Sequence, residues 1–177
     1  MAFVDEMLDA EDLSDFVQSN HIISAVSAET IDSLKPRVPV SLSVNSTIND
    51  AISAMQTKCI GAVLVLEGQK LVGIFTERDV LFKVINKPLD IHQTTLREVM
   101  THEPETLTEA DRIVYALNRM TVGGYRHIPI VDAHDNLTGI ISVKDIVEYL
   151  VSLVEEEVYN IRPEPLRAGG FSQTDGG

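Results

Sequence analysis

Apolar and small polar positions follow the same pattern twice along the chain. Residues 39–85 match residues 104–151 at an offset of 65, which becomes 66 after one extra residue in the Gly123-Gly124 turn. The matched pairs include Pro39 with Pro104, Leu42 with Leu107, Ile48 with Ile113, Ala51 with Ala116, Met55 with Met120, Gly73 with Gly139 and Asp79 with Asp145. This self-similarity predicts two copies of one unit of about 50 residues.

The spacing of apolar residues within each copy predicts its elements. An extended entry, at 38–43 and again at 105–108, precedes a helix whose apolar residues recur at i, i+3, i+4 and i+7. These residues are Ile48, Ala51, Ile52 and Met55 in the first copy and Ile113, Ala116, Leu117 and Met120 in the second. Two apolar runs separated by turn residues predict strands at 62–66 and 71–75, and at 127–131 and 137–141. A closing helix is expected from Thr76 and from Ser142.

The fold class that follows is α+β, with two β-α-β-β-α repeats packed as a pseudo-twofold pair. The two repeats are expected to pack together because one copy buries too little apolar surface to be stable alone. The first repeat is assigned to residues 36–90 and the second to residues 91–160.

The segments outside the repeats differ from them in composition. Residues 1–35 are expected to form an acidic helical N-terminal extension, since the first 34 residues hold eight acidic side chains and no Lys or Arg. An apolar stripe on this extension either docks on the module or its dimer mate, or binds a partner protein. Residues 161–177 are rich in Pro and Gly and are expected to be a disordered tail.

The charge of the chain narrows the classes of partner. A formal net charge of −13 at pH 7 should repel nucleic acid and anionic membranes. No stretch approaches the roughly 20 consecutive apolar residues that cross a bilayer, and the first residues lack the basic start and apolar run of a signal peptide. The single cysteine, Cys59, excludes an internal disulfide. These features together predict a cytoplasmic protein.

A short motif recurs where the third strand of each copy meets its closing helix. Residues 73–79 read Gly-Ile-Phe-Thr-Glu-Arg-Asp, and residues 139–145 read Gly-Ile-Ile-Ser-Val-Lys-Asp. In one interpretation the hydroxyl residue caps the helix, and the acid three residues later completes a capping box. In the other, the helix N-terminus attracts an anion and the carboxylate accepts hydrogen bonds from the two hydroxyls of a ribose. The residues concerned are Thr76 and Asp79, and Ser142 and Asp145.

Basic residues stand close to this motif. Arg78 and Lys144 each precede the Asp by one position, and they either pair with a phosphate or are exposed helix cations. Arg126 and His127 come just before the middle strand of the second copy and would face a phosphate if that strand end lies near the motif. His127 is otherwise an ordinary surface or packed histidine. Since the first copy lacks this pair, the two sites need not be equivalent.

The motif, the element order and the duplication resemble cystathionine-β-synthase (CBS) domains, two of which form a Bateman module. Residues 60–65, 73–79 and 125–130 look like the small stand-alone bacterial members of that family. The resemblance covers roughly residues 36–153.

The resemblance implies clefts between the repeats that bind AMP, ADP, ATP, NAD or S-adenosylmethionine. It assigns the Asp of each motif to ribose hydroxyls, the Thr or Ser to ribose or phosphate, and Arg126, His127 and Arg78 to phosphate. The adenine is expected against the entry strands and the backbone of the middle strands. The ligand-binding residues predicted in this way are Thr76, Arg78, Asp79, Ser142, Asp145, Arg126, His127, Pro129, Ile128, Thr106, Ser41 and Ile60. A homodimer and a separate, unidentified protein partner are further implications, and no catalytic cofactor is required.

Signatures of catalysis are missing from the sequence. It contains no Gly-rich phosphate loop ending in Gly-Lys-Ser/Thr, and its five histidines show no pair at metal-ligand spacing. The chain is therefore predicted to be a regulatory or sensory module that binds an adenosine nucleotide without transforming it. Two other hypotheses stay open: a ligand-free structural or protein-interaction dimer whose motifs are only caps, and an unrecognised nucleotide-processing enzyme.

Overall fold

The computed structural model describes residues 27–153. The predictions for the first 26 residues, including the acidic helices and their apolar stripe, and for the tail at 161–177 lie outside the described residues. Among the described residues, the structure has two repeats of mixed helices and strands, and the predicted α+β fold class is confirmed.

The elements follow one another in the order that the apolar spacing predicts, with additions between the repeats. A 3-10 turn (Ile31–Leu34) leads to β1 (Ser41–Ser43), α1 (Ile48–Lys58), β2 (Ala62–Glu67), β3 (Lys70–Thr76) and α2 (Glu77–Asp79), which continues as a π-helical turn (Val80–Val84). Next come α3 (Leu96–Val99), β4 (Thr101–His102), α4 (Ile113–Gly123), β5 (His127–Val131), β6 (Leu137–Ser142) and α5 (Val143–Leu153). The short α3 and β4, which join the repeats, are the elements that the apolar pattern does not predict.

The first repeat is built on a four-stranded sheet in the order β1-β2-β3-β4. β1 runs parallel to β2 with Leu42 opposite Val65, and β2 and β3 form an antiparallel hairpin. Gly68 has φ +64° in the hairpin turn, a conformation that other residues rarely adopt. β4 then pairs with β3 along its other edge.

The entry strand expected at 105–108 is reduced to a single bridge between Leu107 and Ile130. In the first repeat, the Leu64 N–H donates to the Val40 carbonyl at 2.9 Å. In the sheet register, Pro129 lies opposite Ile140 as Leu64 lies opposite Ile74, and proline has no N–H to donate. The second repeat therefore lacks one backbone hydrogen bond between its entry segment and its middle strand, which explains why the entry segment is not a strand.

The segment that leads into each repeat pairs with the sheet of the other repeat. Thr101 and His102 of β4 lie opposite Ile74 and Gly73 of β3. In the same way, Arg37 exchanges two backbone hydrogen bonds with Ile140 of β6, at 3.2 and 3.0 Å. The two repeats are thus held together by exchanged edge segments.

The glycine of each motif allows this close approach. A Cβ at Gly73 would collide with the Met100 side chain, and a Cβ at Gly139 would lie 2.6 Å from the Cβ of Pro36. The first position of the motif is therefore explained by packing between the exchanged segment and the third strand.

Each repeat has its own apolar core, and a third cluster joins them. In the first repeat, Ile48, Ala51 and Met55 of the predicted α1 stripe are buried, and Ile52 is partly buried. In the second, Leu117 differs from the expectation, because it is 37% exposed while the other stripe residues of α4 are buried. The joining cluster consists of Ala62, Leu64, Ile74, Leu71, Leu137 and Ile140. No helix in residues 27–153 is both long and apolar enough to cross a bilayer.

Candidate functional site

Two clefts lie along the joint between the repeats, one at each motif. The larger, called the Asp145 cleft, has a volume of about 420 Å³, and the smaller, called the Asp79 cleft, has a volume of about 320 Å³. Gly61, Arg126 and His127 line both. The Asp145 cleft is also lined by Arg37, Val38, Val40, Ile60, Ser142 and Lys144, and the Asp79 cleft by Thr76, Arg78, Thr101, Glu103, Glu105 and Tyr125.

Both motifs form complete helix caps. Asp145 Oδ2 accepts from the Ser142 N–H and from its Oγ, both at 2.6 Å, and the Asp145 N–H donates to Ser142 Oγ at 3.3 Å. Asp79 Oδ2 accepts from the Thr76 N–H at 2.9 Å and from its Oγ1 at 2.7 Å. The capping interpretation is thus an accurate account of the local geometry. It accounts for one oxygen of each carboxylate and leaves the other oxygen to be explained.

The second oxygen of each carboxylate faces the segment exchanged from the other repeat. Asp145 Oδ1 lies 2.7 Å from the Arg37 guanidinium. Asp79 Oδ1 accepts from Thr101 Oγ1 at 3.2 Å and lies 2.8 Å from Lys83 Nζ, one helical turn along its own helix. Both carboxylates are almost buried, with 12% of the Asp145 side chain and 11% of the Asp79 side chain exposed. Each carboxylate is therefore held in one orientation at the N-terminus of its helix.

The backbone places the strand ends against the same helix termini. The Val143 N–H, the first of α5, donates to the Arg126 carbonyl at 3.0 Å, and the Glu77 N–H donates to the Gly61 carbonyl at 3.1 Å in the first repeat. This contact brings the Arg126 and His127 segment to the motif, which is the arrangement that a phosphate-binding role requires.

The cations are distributed around both clefts. The Arg126 side chain is 60% exposed, and its nearest acidic partner is Glu77 at 3.9 Å. Arg78 donates to the Gly124 carbonyl on the wall of the Asp79 cleft. Lys144 lies 3.2 Å from Glu148, on the rim of the Asp145 cleft. Since all three side chains are exposed, they can turn toward an anion at little cost.

His127 differs from the other basic residues because it is half-buried. Burial lowers its pKa below the ordinary value, and the neighbouring Arg126 lowers it further, against opposing effects from Glu77 and Asp145. The imidazole is therefore mainly neutral at pH 7, and it offers a ligand a hydrogen bond rather than a charge.

A polar cluster stiffens the wall of the Asp79 cleft. The Glu105 carboxylate accepts from the Tyr125 hydroxyl and from the Arg119 guanidinium. The hydrogen bond from Tyr125 lowers the pKa of Glu105, while burial, followed by that same hydrogen bond, raises the pKa of Tyr125 to about 12. Glu105 therefore stays ionised and Tyr125 stays protonated across the physiological range.

The structure brings eight of the twelve predicted ligand-binding residues to the clefts. They are Thr76, Arg78 and Asp79 in one, Ile60, Ser142 and Asp145 in the other, and Arg126 and His127 in both. Ile128 and Pro129 are instead buried in the second repeat, Ser41 is exposed on β1, and Thr106 is half-buried, so none of these four lines either cleft. The entry segments do contribute, but a few residues earlier, through Val38 and Val40 and through Glu103 and Glu105.

Arg37 and Thr101 contact the motif carboxylates, and the sequence did not predict either of them as a site residue. Neither belongs to a motif, and each reaches the carboxylate of the opposite repeat through an exchanged segment. In residues 27–153, no group of three or more His, Cys, Asp or Glu side chains is arranged to hold a metal ion.

The fold and the paired clefts define a class of protein. It is a tandem-repeat module in which two clefts lie between the repeats, each beside one capped helix N-terminus. The model of the CBS domain matches residues 33–86 and 96–152. The chain belongs to the CBS-domain family, and the predicted resemblance is confirmed.

Curated relatives share the repeats at moderate identity. The chain is 28% identical over 158 residues to the meiotically up-regulated gene 70 protein of Schizosaccharomyces pombe, covering 81% of this chain and 21% of the relative. It is 32% identical over 110 residues to an uncharacterized 17.7 kDa protein of Acidianus ambivalens, covering 62% of this chain and 65% of that one. The chain thus spans from about a fifth to just under two thirds of the length of these relatives.

Solved structures have the same fold. A protein with CBS domains from Burkholderia ambifaria has 31% identity and a TM-score of 0.65, covering 68% of this chain and 92% of that one. The CBS domain protein PAE2072 from Pyrobaculum aerophilum, solved in complex with AMP, has 23% identity and a TM-score of 0.61, covering 70% and 98%. The CBS domain pair of protein MJ0100, solved with 5′-methylthioadenosine and S-adenosyl-L-methionine, has 23% identity and a TM-score of 0.60, covering 68% and 98%.

Proposed function

We propose that this protein is a non-catalytic regulatory module that binds an adenosine-containing nucleotide, of the AMP, ADP, ATP or NAD type, in the Asp145 cleft. The observation that carries the proposal is the arrangement of Asp145. Its carboxylate is oriented by Ser142 at the N-terminus of α5, and its second oxygen faces a cleft of about 420 Å³. A cleft of this size is within the range of small-molecule sites.

The walls of the cleft suit the parts of such a ligand. Val38, Val40 and Ile60 form an apolar side for a purine ring, and Arg37, Arg126 and Lys144 supply positive charge for phosphate. Asp145 then accepts from the ribose hydroxyls, a role that agrees with the adenosine-type ligands of PAE2072 and MJ0100.

The test is a thermal-shift screen of the purified protein with AMP, ADP, ATP, NAD and S-adenosylmethionine. A ligand at about 100 times its dissociation constant adds roughly 2.7 kcal/mol to the free energy of unfolding. We expect a shift with at least one of them, lost in Asp145→Ala and kept in Asp79→Ala. The absence of any shift, in protein freed of co-purified nucleotide, would contradict the proposal and favour the structural dimer.

We further propose that the module acts as a cytoplasmic homodimer that signals to a separate protein chain. The supporting observation is a set of exposed apolar side chains on the outer faces of α4 and α5. They include Val122 at 77%, Val147 at 50%, Val151 at 47% and Tyr115 at 44% exposure. An apolar face of this kind is typical of an interaction surface. Sedimentation should give twice the chain mass for the wild type, and a monomer for Val122→Glu combined with Val151→Glu.

A further inference from the structure

Arg37 occupies an unusual position in the Asp145 cleft. Its backbone is pinned to β6 by the two hydrogen bonds with Ile140. Its guanidinium lies 2.7 Å from Asp145 Oδ1, which is the carboxylate oxygen that the Ser142 cap does not use. In the proposed function this oxygen accepts from a ribose hydroxyl. The side chain is nevertheless 60% exposed, so the guanidinium can turn away while the Arg37 backbone stays fixed.

The neighbouring charges make this contact easy to exchange. Arg37 also lies 3.4 Å from Glu148, and Lys144 lies 3.2 Å from the same carboxylate. If Arg37 turns away, Glu148 keeps a cationic partner, whereas Asp145 loses its ion pair and needs a new donor. A ribose supplies hydroxyl donors, and the phosphate of the same nucleotide supplies an anion for the released guanidinium.

In the described part of the chain, no cation from the exchanged segment pairs with Asp79 as Arg37 pairs with Asp145. There the carboxylate pairs with Lys83, on its own helix, and with Thr101. The position equivalent to Arg37 in the second repeat is His102, which does not line the cleft.

We propose that Arg37 is a specificity-determining residue that moves from Asp145 to the ligand phosphate, so that the Asp145 cleft selects phosphorylated adenosine over the free nucleoside. Adenosine supplies ribose hydroxyls to Asp145 but no anion for the released Arg37 guanidinium, while AMP supplies both. The inference rests on the proposed function and adds to it the chemical basis of selection.

Isothermal titration with AMP and with adenosine tests the inference on the full chain. In Arg37→Gln, we expect AMP to bind about tenfold or more weakly and adenosine to bind more tightly than in the wild type, because Asp145 is no longer paired. Arg126→Gln serves as the matched control, since Arg126 lines the cleft without contacting Asp145. It should weaken AMP and leave adenosine unchanged. Lys83→Gln, remote from this cleft, should change neither.

The outcomes separate this inference from the proposed function. If Arg37→Gln weakens both ligands equally, or changes neither, while Asp145→Ala abolishes AMP binding, the function stands and the role of Arg37 is wrong. If AMP binds to neither the wild type nor any variant, the role of Arg37 is wrong, and if no other nucleotide of the thermal-shift screen binds either, the proposed function is wrong as well. A circular dichroism spectrum and an unfolding curve like those of the wild type show that Arg37→Gln is folded.

Discussion

Asp145→Ala distinguishes a helix cap from a ligand-binding carboxylate. The substitution removes the bonds from the Ser142 N–H and Oγ, each at 2.6 Å, and the ion pair with Arg37. Loss of the cap costs about 1 kcal/mol. Because the Arg37 side chain is 60% exposed, the ion pair adds only about 0–1 kcal/mol. The free energy of unfolding should therefore fall by about 1–2 kcal/mol, or the Tm by roughly 2–8 °C.

Affinity should respond much more strongly than stability. Each charge-assisted hydrogen bond to a ribose hydroxyl contributes about 1.5–3 kcal/mol, so its loss weakens binding by about tenfold or more. Urea denaturation measures the first effect, and titration with the ligand identified in the screen measures the second.

The chain offers a matched control in Asp50, which completes the capping box of α1. Its Oδ2 accepts from the Thr47 N–H at 2.9 Å and the Asp50 N–H donates to Thr47 Oγ1 at 3.1 Å, yet Asp50 lines neither cleft. Asp50→Ala should lose about 1 kcal/mol of stability and keep full affinity. If both variants lose the same stability and bind equally well, the motif is only a cap and the reasoning is refuted.

Three further predictions concern packing and protonation. Gly139→Ala should destabilise by about 1–3 kcal/mol in urea denaturation, because its Cβ would lie 2.6 Å from that of Pro36; an unchanged midpoint would contradict the close approach. Burial lowers the pKa of His127 from 6.5, so the unfolded chain binds a proton first, and stability should fall as pH decreases through about 6.5. His127→Gln should flatten that dependence, and an unaltered profile would assign it to other groups. Glu105→Gln should lower the pKa of Tyr125 from about 12, though not below 10, since burial of the hydroxyl remains. Ultraviolet titration of the tyrosine measures this change. An unchanged pKa would show that the hydrogen bond to Glu105 does not raise it.

Much of the fold was predictable because it depends on local patterns. The helix at Ile48–Lys58 and the strand at His127–Val131 follow from apolar spacing alone, since each element must bury one face. The closing helices were predicted as a matching pair, but the first ends early. Only Glu77–Asp79 is α-helical, and after the π-helical turn the chain reaches Ile85 with extended backbone and Asn86 with φ 59°.

The candidate site was predictable only in part. The motif residues of both repeats reach the clefts because strand-to-helix corners place their side chains by local geometry. The expected adenine contacts at Ser41 and Thr106 lie outside the clefts. Their register depends on how each entry segment crosses to the other repeat, which no local pattern encodes.

The sequence by itself therefore determined the duplication, most of the element order, the capped helix ends and the acidic charge, because each can be read from residue types and their spacing along the chain. The tertiary structure alone decided that Arg37 faces Asp145, that Thr101 faces Asp79, and that one cleft is larger than the other. The physical reason is the exchange of edge segments: backbone pairing between residues about 100 positions apart, such as Arg37 and Ile140, brings together side chains that have no relation in sequence.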